Sequence, residues 1–107
     1  MIAEIENRVV NSSISLFDAM KLMDLLGVKT LFVFDNEKFV GLLTIGDLQR
    51  AIIANVELIS PVALVLDKNK IYAKESDSIE NIKDNMIRLR AECMPVLNDS
   101  GRLIDVL

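Results

Sequence analysis

Thr44 and Asp47 are the residues of this chain whose types and spacing best suit chemistry. They lie three residues apart, between an apolar run at 39–43 and an apolar pattern of helical spacing that starts at Leu48. The pattern therefore predicts that a strand delivers a hydroxyl and a carboxylate to the N-terminus of a helix. Free N–H groups and the helix dipole attract anions at such a place, which indicates a phosphate site.

A purely structural role competes with this interpretation. Thr-x-x-Asp is close to a capping box, in which Thr44 and Asp47 only satisfy the unpaired N–H groups of the first helical turn. Such boxes open many helices, so residues 44–47 by themselves leave both interpretations open.

The residue composition narrows the classes of function. The 107 residues include no histidine, which removes the commonest general base and the commonest metal ligand. The single cysteine, Cys93, lies in an apolar run and is predicted to be a buried, unreactive thiol. Asp47 and Asp105 are the only candidates for a pair of catalytic acids, so an enzyme that acts on its own is the weakest hypothesis. We expect no metal site and no required cofactor.

Charge and hydropathy narrow the partners and the location. The net charge of −4 comes without a stripe of Lys and Arg, which argues against nucleic-acid binding. The N-terminal residues lack the pattern of a signal peptide, and no apolar stretch is long enough to cross a bilayer. We expect a cytoplasmic protein with no membrane partner. Because the sequence ends inside the apolar segment 103–107, we also expect a fragment of a longer protein.

The elements that position Thr44 and Asp47 follow from hydrophobic periodicity and from turn residues. Ser15 and Ser78 are predicted N-caps, and Gly27 is predicted to end the first helix. The predicted elements are a short strand at 8–10, a helix at 15–26, strands at 31–34 and 39–43, a helix at 46–54, a helical turn at 62–66, a loop at 67–70, a strand at 71–73, a helix at 78–90 with an apolar stripe of Ile79, Ile82, Met86 and Leu89, and strands at 94–97 and 102–107.

The order helix, strand, turn, strand occurs twice in the chain. A shift of 63 residues places Ser15 on Ser78 and Val33 on Val96. After the hairpin turn the shift becomes 64, which places Gly41 on Asp105. A repeat of this length predicts an α/β (α+β) fold of two small units, one at residues 8–59 and the other at 60–107.

Two segments of the chain carry a family resemblance. Residues 41–48 (GLLTIGDL), preceded by 25–35 (LLGVKTLFVFD), resemble the cystathionine-β-synthase (CBS) domain. Residues 94–104 (MPVLNDSGRLI) resemble the same family in the second half. The resemblance extends over about residues 8–107.

The resemblance implies a fold and a ligand class. In CBS proteins two repeats pack as a pair with pseudo-two-fold symmetry, and the clefts between them bind AMP, ADP, ATP or S-adenosylmethionine. The family's hydroxyl contacts phosphate and its carboxylate holds the ribose hydroxyls, which places these roles on Thr44 and Asp47. The implied ligand-binding residues are Thr44, Asp47, Gly41 and Ile45.

The chain departs from the family pattern in both halves. Phe32 stands where the family often has proline, and Asp105 stands where it has glycine. The second Thr-x-x-Asp would follow residue 107. A carboxylate at position 105 would repel phosphate, so at most one competent nucleotide site, the first, is predicted.

A finer resemblance concerns the parent protein. Residues 27–33 and 44–51 look like the CBS pair that precedes a sugar-phosphate nucleotidyltransferase domain, as in relatives of mannose-1-phosphate guanylyltransferases of surface-polysaccharide biosynthesis. The resemblance implies a non-catalytic regulatory module that senses an adenine nucleotide and acts on a downstream catalytic domain. The alternative is a module that binds no ligand and dimerises its parent through the helices at 15–26, 46–54 and 78–90.

Overall fold

The computed structural model describes residues 2–66 and 71–107 of the chain. A 3₁₀ helix at Ile2–Arg8 precedes the first half. The first half then contains β1 (Val9–Asn11), α1 (Leu16–Leu26), β2 (Thr30–Asp35), β3 (Lys38–Thr44), α2 (Ile45–Ile53) and a 3₁₀ turn (Val62–Leu64). The second half contains β4 (Ala73–Lys74), α3 (Ile79–Leu89), β5 (Pro95–Leu97) and β6 (Leu103–Val106).

Each half forms its own three-stranded mixed sheet, with the strand orders β1-β2-β3 and β4-β5-β6. In both sheets the first pair of strands is parallel and the second pair is antiparallel. The two halves form separate compact units. The predicted α/β fold is thereby confirmed, with three helices and two mixed sheets.

The strand registers repeat from one half to the other. Val10 pairs with Val33 in the first sheet, and Ala73 pairs with Val96 in the second, as the shift of 63 predicts. Both hairpins also contain a β-bulge, so that Val33 pairs with Gly41 and Val96 pairs with Asp105. The equivalence of Gly41 and Asp105 that the sequence predicts is therefore present in the hydrogen-bond ladders.

The helix ends repeat in the same way. The Ser15 hydroxyl accepts a hydrogen bond from the Asp18 N–H at 3.0 Å, and the Ser78 hydroxyl accepts one from the Asn81 N–H at 3.2 Å. Both serines are therefore N-caps, as predicted.

Each half has its own hydrophobic core. The first core consists of buried side chains from the helices, the strands and the 3₁₀ turn of that half, namely Val10, Leu16, Ala19, Met23, Leu31, Val33, Leu43, Leu48, Ala51 and Val62. The second core is smaller and consists of Ala73, Ile82, Met94 and Val96. The site described below lies on the half with the larger core.

The segment after α2 folds back onto the start of α1. The Leu16 and Phe17 N–H groups donate to the carbonyl oxygens of Ser60 and Leu58, each at 3.0 Å. The Val62 N–H donates to the Ile14 carbonyl at 2.8 Å. These bonds tie the connector to the first half, while the predicted repeat boundary at 59/60 stays a prediction.

The structure differs from the predictions at Cys93 and along α3, and it does not describe one predicted loop. Cys93 is half-buried, not buried, because Met94, the next residue, takes the core position. The α3 stripe is only partly internal, since Ile82 is buried whereas Ile79 and Leu89 are exposed. The predicted loop at 67–70 lies outside the described residues.

Candidate functional site

Thr44 ends β3 and is the N-cap of α2. Its backbone is still extended, with φ −107° and ψ 162°, so the chain leaves the sheet and enters the helix at this residue. The Thr44 hydroxyl accepts a hydrogen bond from the Asp47 N–H at 3.2 Å, and the Asp47 carboxylate accepts one from the Thr44 N–H at 2.9 Å. The capping box is therefore complete.

The Asp47 carboxylate is almost fully buried, with 9% of the residue exposed. Its Oδ2 accepts hydrogen bonds from both the N–H and the hydroxyl of Thr44, the latter at 3.0 Å. Its Oδ1 accepts a hydrogen bond from Arg50 Nη2 at 2.6 Å, which is also an ion pair. A carboxylate has about four acceptor positions, so these three bonds leave one unused.

Arg50 is a residue of the site that the sequence analysis missed. Its guanidinium lies over the first turn of α2, with Nη1 3.3 Å from where a Cβ on Gly46 would be. The Thr44 hydroxyl is 3.6 Å from the same point. The i,i+3 spacing from Asp47 was the available signal, since helical side chains point back toward the N-terminus.

The N–H groups of this helix start differ in availability. The Ile45 N–H donates to the Lys29 carbonyl at 3.0 Å, and the Asp47 N–H donates to Thr44. The Gly46 N–H finds no acceptor among the residues that the structure describes. The first turn of α2 therefore keeps one main-chain donor that no described residue satisfies, on the residue over which the Arg50 guanidinium lies.

The other two predicted site residues contribute no polar side chain. Ile45 is exposed at the first position of α2. Gly41 is buried in β3 with φ 149°, a conformation that L residues rarely adopt. The structure thus brings Thr44 and Asp47 into direct contact and places Gly41 at the bulge of the strand that leads to them.

The proposed pair of acids has separate surroundings. Asp47 is bound by Thr44 and Arg50, whereas Asp105 Oδ1 accepts a hydrogen bond from the Val106 N–H at 2.8 Å. Within residues 2–66 and 71–107, no group of three His, Cys, Asp or Glu side chains could hold a metal ion. Over the same described part of the chain, no helix is long and apolar enough to cross a membrane.

Comparison with known proteins identifies the family. Residues 2–54 match the CBS domain family. The crystal structure of the CBS domain NE2398 superimposes with a TM-score of 0.75 at 26% identity, over 92% of this chain and 78% of that one. The chain carries a CBS domain pair. This confirms the coarser part of the resemblance seen in the sequence.

Two ligand-bound structures share the fold of this CBS pair. CBSX2 in complex with AMP has a TM-score of 0.74 at 24% identity, over 92% of this chain and 78% of that one. The CBS domain pair of MJ0100 in complex with 5′-methylthioadenosine and S-adenosyl-L-methionine has a TM-score of 0.72 at 22% identity, with the same coverage of 92% and 78%. At these identities the likeness concerns the fold.

Two curated relatives carry a similar pair within longer proteins. The transcriptional repressor CcpN of Bacillus subtilis (strain 168) is 32% identical in an alignment 103 residues long that covers 92% of this chain and 49% of that protein. A homoserine O-acetyltransferase of Methanobrevibacter ruminantium is 36% identical over 91 residues, which are 84% of this chain and 18% of that protein. The chain thus spans about half the length of the first relative and less than a fifth of the second.

Proposed function

We propose that this CBS pair is a regulatory module that binds an adenosine compound through the first turn of α2. The observation that carries the proposal is the pairing of the Thr44 hydroxyl with the buried Asp47 carboxylate at that turn. The CBS family uses these two positions for phosphate and for the ribose hydroxyls. Gly41 and Ile45 complete the proposed ligand-binding set.

The chemistry of the turn suits both parts of such a ligand. The open Gly46 N–H and the helix dipole favour an anion, and the Thr44 hydroxyl lies beside them. The Asp47 carboxylate keeps an acceptor position for a hydroxyl group after its bonds to Thr44 and Arg50. Capping and ligand binding therefore fit together on the same residues.

The ligand class proposed is AMP, ADP, ATP or S-adenosylmethionine. The structures of CBSX2 with AMP and of MJ0100 with S-adenosyl-L-methionine share this fold and support these two members of the class, while ADP and ATP come from the family resemblance. We propose one competent site, on the first half, because Asp105 stands in the second half where the first has Gly41. A carboxylate there would repel a phosphate group.

The parent protein and its location remain part of the proposal. The CBS pair is proposed to act on a downstream catalytic domain, for which the sequence resemblance suggests a cytoplasmic sugar-phosphate nucleotidyltransferase. The two curated relatives described above are instead a repressor and an acetyltransferase. A similar pair therefore occurs beside different activities, and the regulatory role that we propose does not depend on which of them accompanies it.

Thermal unfolding with each ligand tests the proposal. AMP, ADP, ATP and S-adenosylmethionine are added separately at about one hundred times a plausible dissociation constant. Binding to the native state alone then adds roughly 2.7 kcal/mol of stability, which raises the midpoint by several degrees. We expect one of them to produce this shift and Asp47→Ala to abolish it.

The control for this experiment is Ser15→Ala. It removes the N-cap of α1 in the same half, so it lowers stability by a similar mechanism without touching the proposed site. Ser15→Ala should keep the ligand-induced shift that Asp47→Ala loses. The absence of a shift with all four ligands in the wild type would contradict the proposal and leave Thr44 and Asp47 as a helix cap.

A second candidate function is dimerisation without a ligand. Large apolar side chains are exposed on the helices of the first half, including Leu25 on α1 at 81% and Ile53 on α2 at 80%. Because α1 and α2 contact each other, their exposed apolar side chains can contribute to one interaction surface. We propose these helices as a homodimer interface, which can accompany ligand binding or replace it.

A further inference from the structure

We infer that Arg50 binds the phosphate of the ligand and makes the site prefer phosphorylated adenosine compounds over uncharged ones. The inference rests on the proposed function, since it names the group that selects among adenosine compounds at that site. It assigns a role to a residue outside the Thr-x-x-Asp pattern.

The position of the guanidinium is the first argument. Arg50 lies one turn after Asp47 on α2, and its side chain reaches back over Gly46. Because Gly46 has no Cβ, Nη1 can lie 3.3 Å from the point that a Cβ would occupy. The guanidinium therefore borders the same space as the Gly46 N–H and the Thr44 hydroxyl.

The unused donors of Arg50 are the second argument. A guanidinium carries five N–H donors in a planar fork, and only Nη2 has an acceptor among the described residues, the Asp47 Oδ1. The side chain is 71% exposed although its partner is buried. The remaining donors are thus open to a ligand while the ion pair to Asp47 stays in place.

The charge of the site is the third argument. The Asp47 carboxylate lies at the helix start where a phosphate would bind, and two negative groups at that distance repel each other. The Arg50 cation offsets the Asp47 charge and can donate two parallel hydrogen bonds to phosphate oxygens. A nucleoside without phosphate gains nothing from these donors.

A different role for Arg50 predicts a different result. If the side chain only holds the Asp47 carboxylate in position, its loss weakens the contact with the ribose. AMP and adenosine share the ribose, so both would then lose affinity by the same factor. The ratio of the AMP and adenosine affinities therefore separates phosphate binding from positioning.

The experiment is calorimetric titration of adenosine and AMP into the wild type, Arg50→Gln and Arg50→Lys at one ionic strength. For Arg50→Gln we expect AMP affinity to fall roughly ten- to a hundredfold, as for a lost charge-assisted hydrogen bond, while adenosine affinity stays within about threefold. The AMP affinity of Arg50→Lys should lie between those of the wild type and Arg50→Gln, because lysine keeps the positive charge but lacks the planar guanidinium that donates two parallel hydrogen bonds.

Lys38→Gln is the matched control. It removes one positive charge from the opposite end of β3, about 20 Å from Thr44, and should leave the AMP affinity unchanged. If adenosine is too weak to measure in the wild type, 5′-methylthioadenosine, which has the ribose and no phosphate, takes its place in the comparison with AMP.

Each outcome bears on a specific claim. The role of Arg50 would be overturned if Arg50→Gln kept the wild-type AMP affinity, or if it lowered the affinities for AMP and adenosine by the same factor. It would also be overturned if Lys38→Gln lowered the AMP affinity as much as Arg50→Gln does. Each of these results would leave the proposed function intact. A wild type that binds none of the adenosine compounds would overturn both.

Discussion

Gly27 and Arg90 end α1 and α3 in the same left-handed conformation, with φ 67° and φ 55° respectively. The N–H of each residue donates a hydrogen bond to a carbonyl oxygen of the last helical turn, that of Asp24 for Gly27 and that of Ile87 for Arg90. Glycine adopts this conformation without steric cost, whereas an L side chain does not. The end of α3 therefore carries backbone strain that the equivalent end of α1 avoids.

This difference predicts the effect of substitutions at residue 90. Arg90→Gly should be more stable than Arg90→Ala by about 1 kcal/mol, because both remove the charge and only glycine removes the strain. Urea unfolding of the two variants measures the difference. Gly27→Ala, which introduces the strain in the first half, should cost about the same amount. Equal stabilities of the two residue-90 variants would contradict this account.

Only part of the site at the start of α2 could be predicted from the sequence. The Thr44–Asp47 capping box follows from a four-residue pattern, because its hydrogen bonds are local to one helical turn. The position of Arg50 depends on which rotamer of a long, exposed side chain meets the buried carboxylate and on the space above Gly46. The i,i+3 spacing shows that Arg50 can reach Asp47, but it fixes neither the rotamer of Arg50 nor the space above Gly46.

At the scale of elements, the β-bulge of β3 is a feature that the sequence pattern does not specify. Its β-bulge lies between the pairs Val33–Gly41 and Phe34–Phe39, so Val40 is the additional residue. Gly41 follows it with φ 149°. A Cβ at Gly41 would meet no atom within 4 Å, so the need for glycine comes from the backbone and not from packing.

The bulge predicts that substitutions at the equivalent positions Gly41 and Asp105 of the two hairpins lower the stability by different amounts. Gly41→Ala should lower stability by about 1–3 kcal/mol, because alanine must adopt a conformation that L residues avoid. Asp105→Gly should cost less, about 0.5–1 kcal/mol from chain entropy, because Asp105 is absent from the residues with positive φ. Chemical denaturation of both variants measures the contrast, and an equal cost at the two positions would show that Gly41 is not strained.

The helices and strands could be predicted because their periodicity is strong. Leu16, Ala19 and Met23 form one buried face of α1, as their spacing indicates. The pattern of α3 is as regular, yet Ile79 and Leu89 are exposed. Periodicity reports which face is apolar, whereas burial depends on what covers that face, and the second core is small.

At the scale of the whole molecule, the exposed apolar helices of the first half predict self-association. The double substitution of Leu25→Glu and Ile53→Glu should shift the chain toward monomer, because charged side chains cannot be buried in an apolar interface without a partner. Sedimentation equilibrium over a range of concentrations measures the shift.

Gln49→Glu is the control for this prediction. It adds a negative charge at another exposed position of α2 and should leave the association unchanged. A wild type that stays monomeric at all concentrations would contradict the dimer interface.

The matching bulges also have a consequence for how this protein could be rebuilt. Val33–Gly41 and Val96–Asp105 are equivalent rungs of equivalent ladders, although the second hairpin turn is one residue longer. Segments 33–43 and 96–107 are therefore interchangeable cassettes, with crossover points at the same rung. A chimera that carries two copies of the first cassette would have the same hairpin in both halves, and it would supply the second half with the glycine rung that precedes Thr44 in the first.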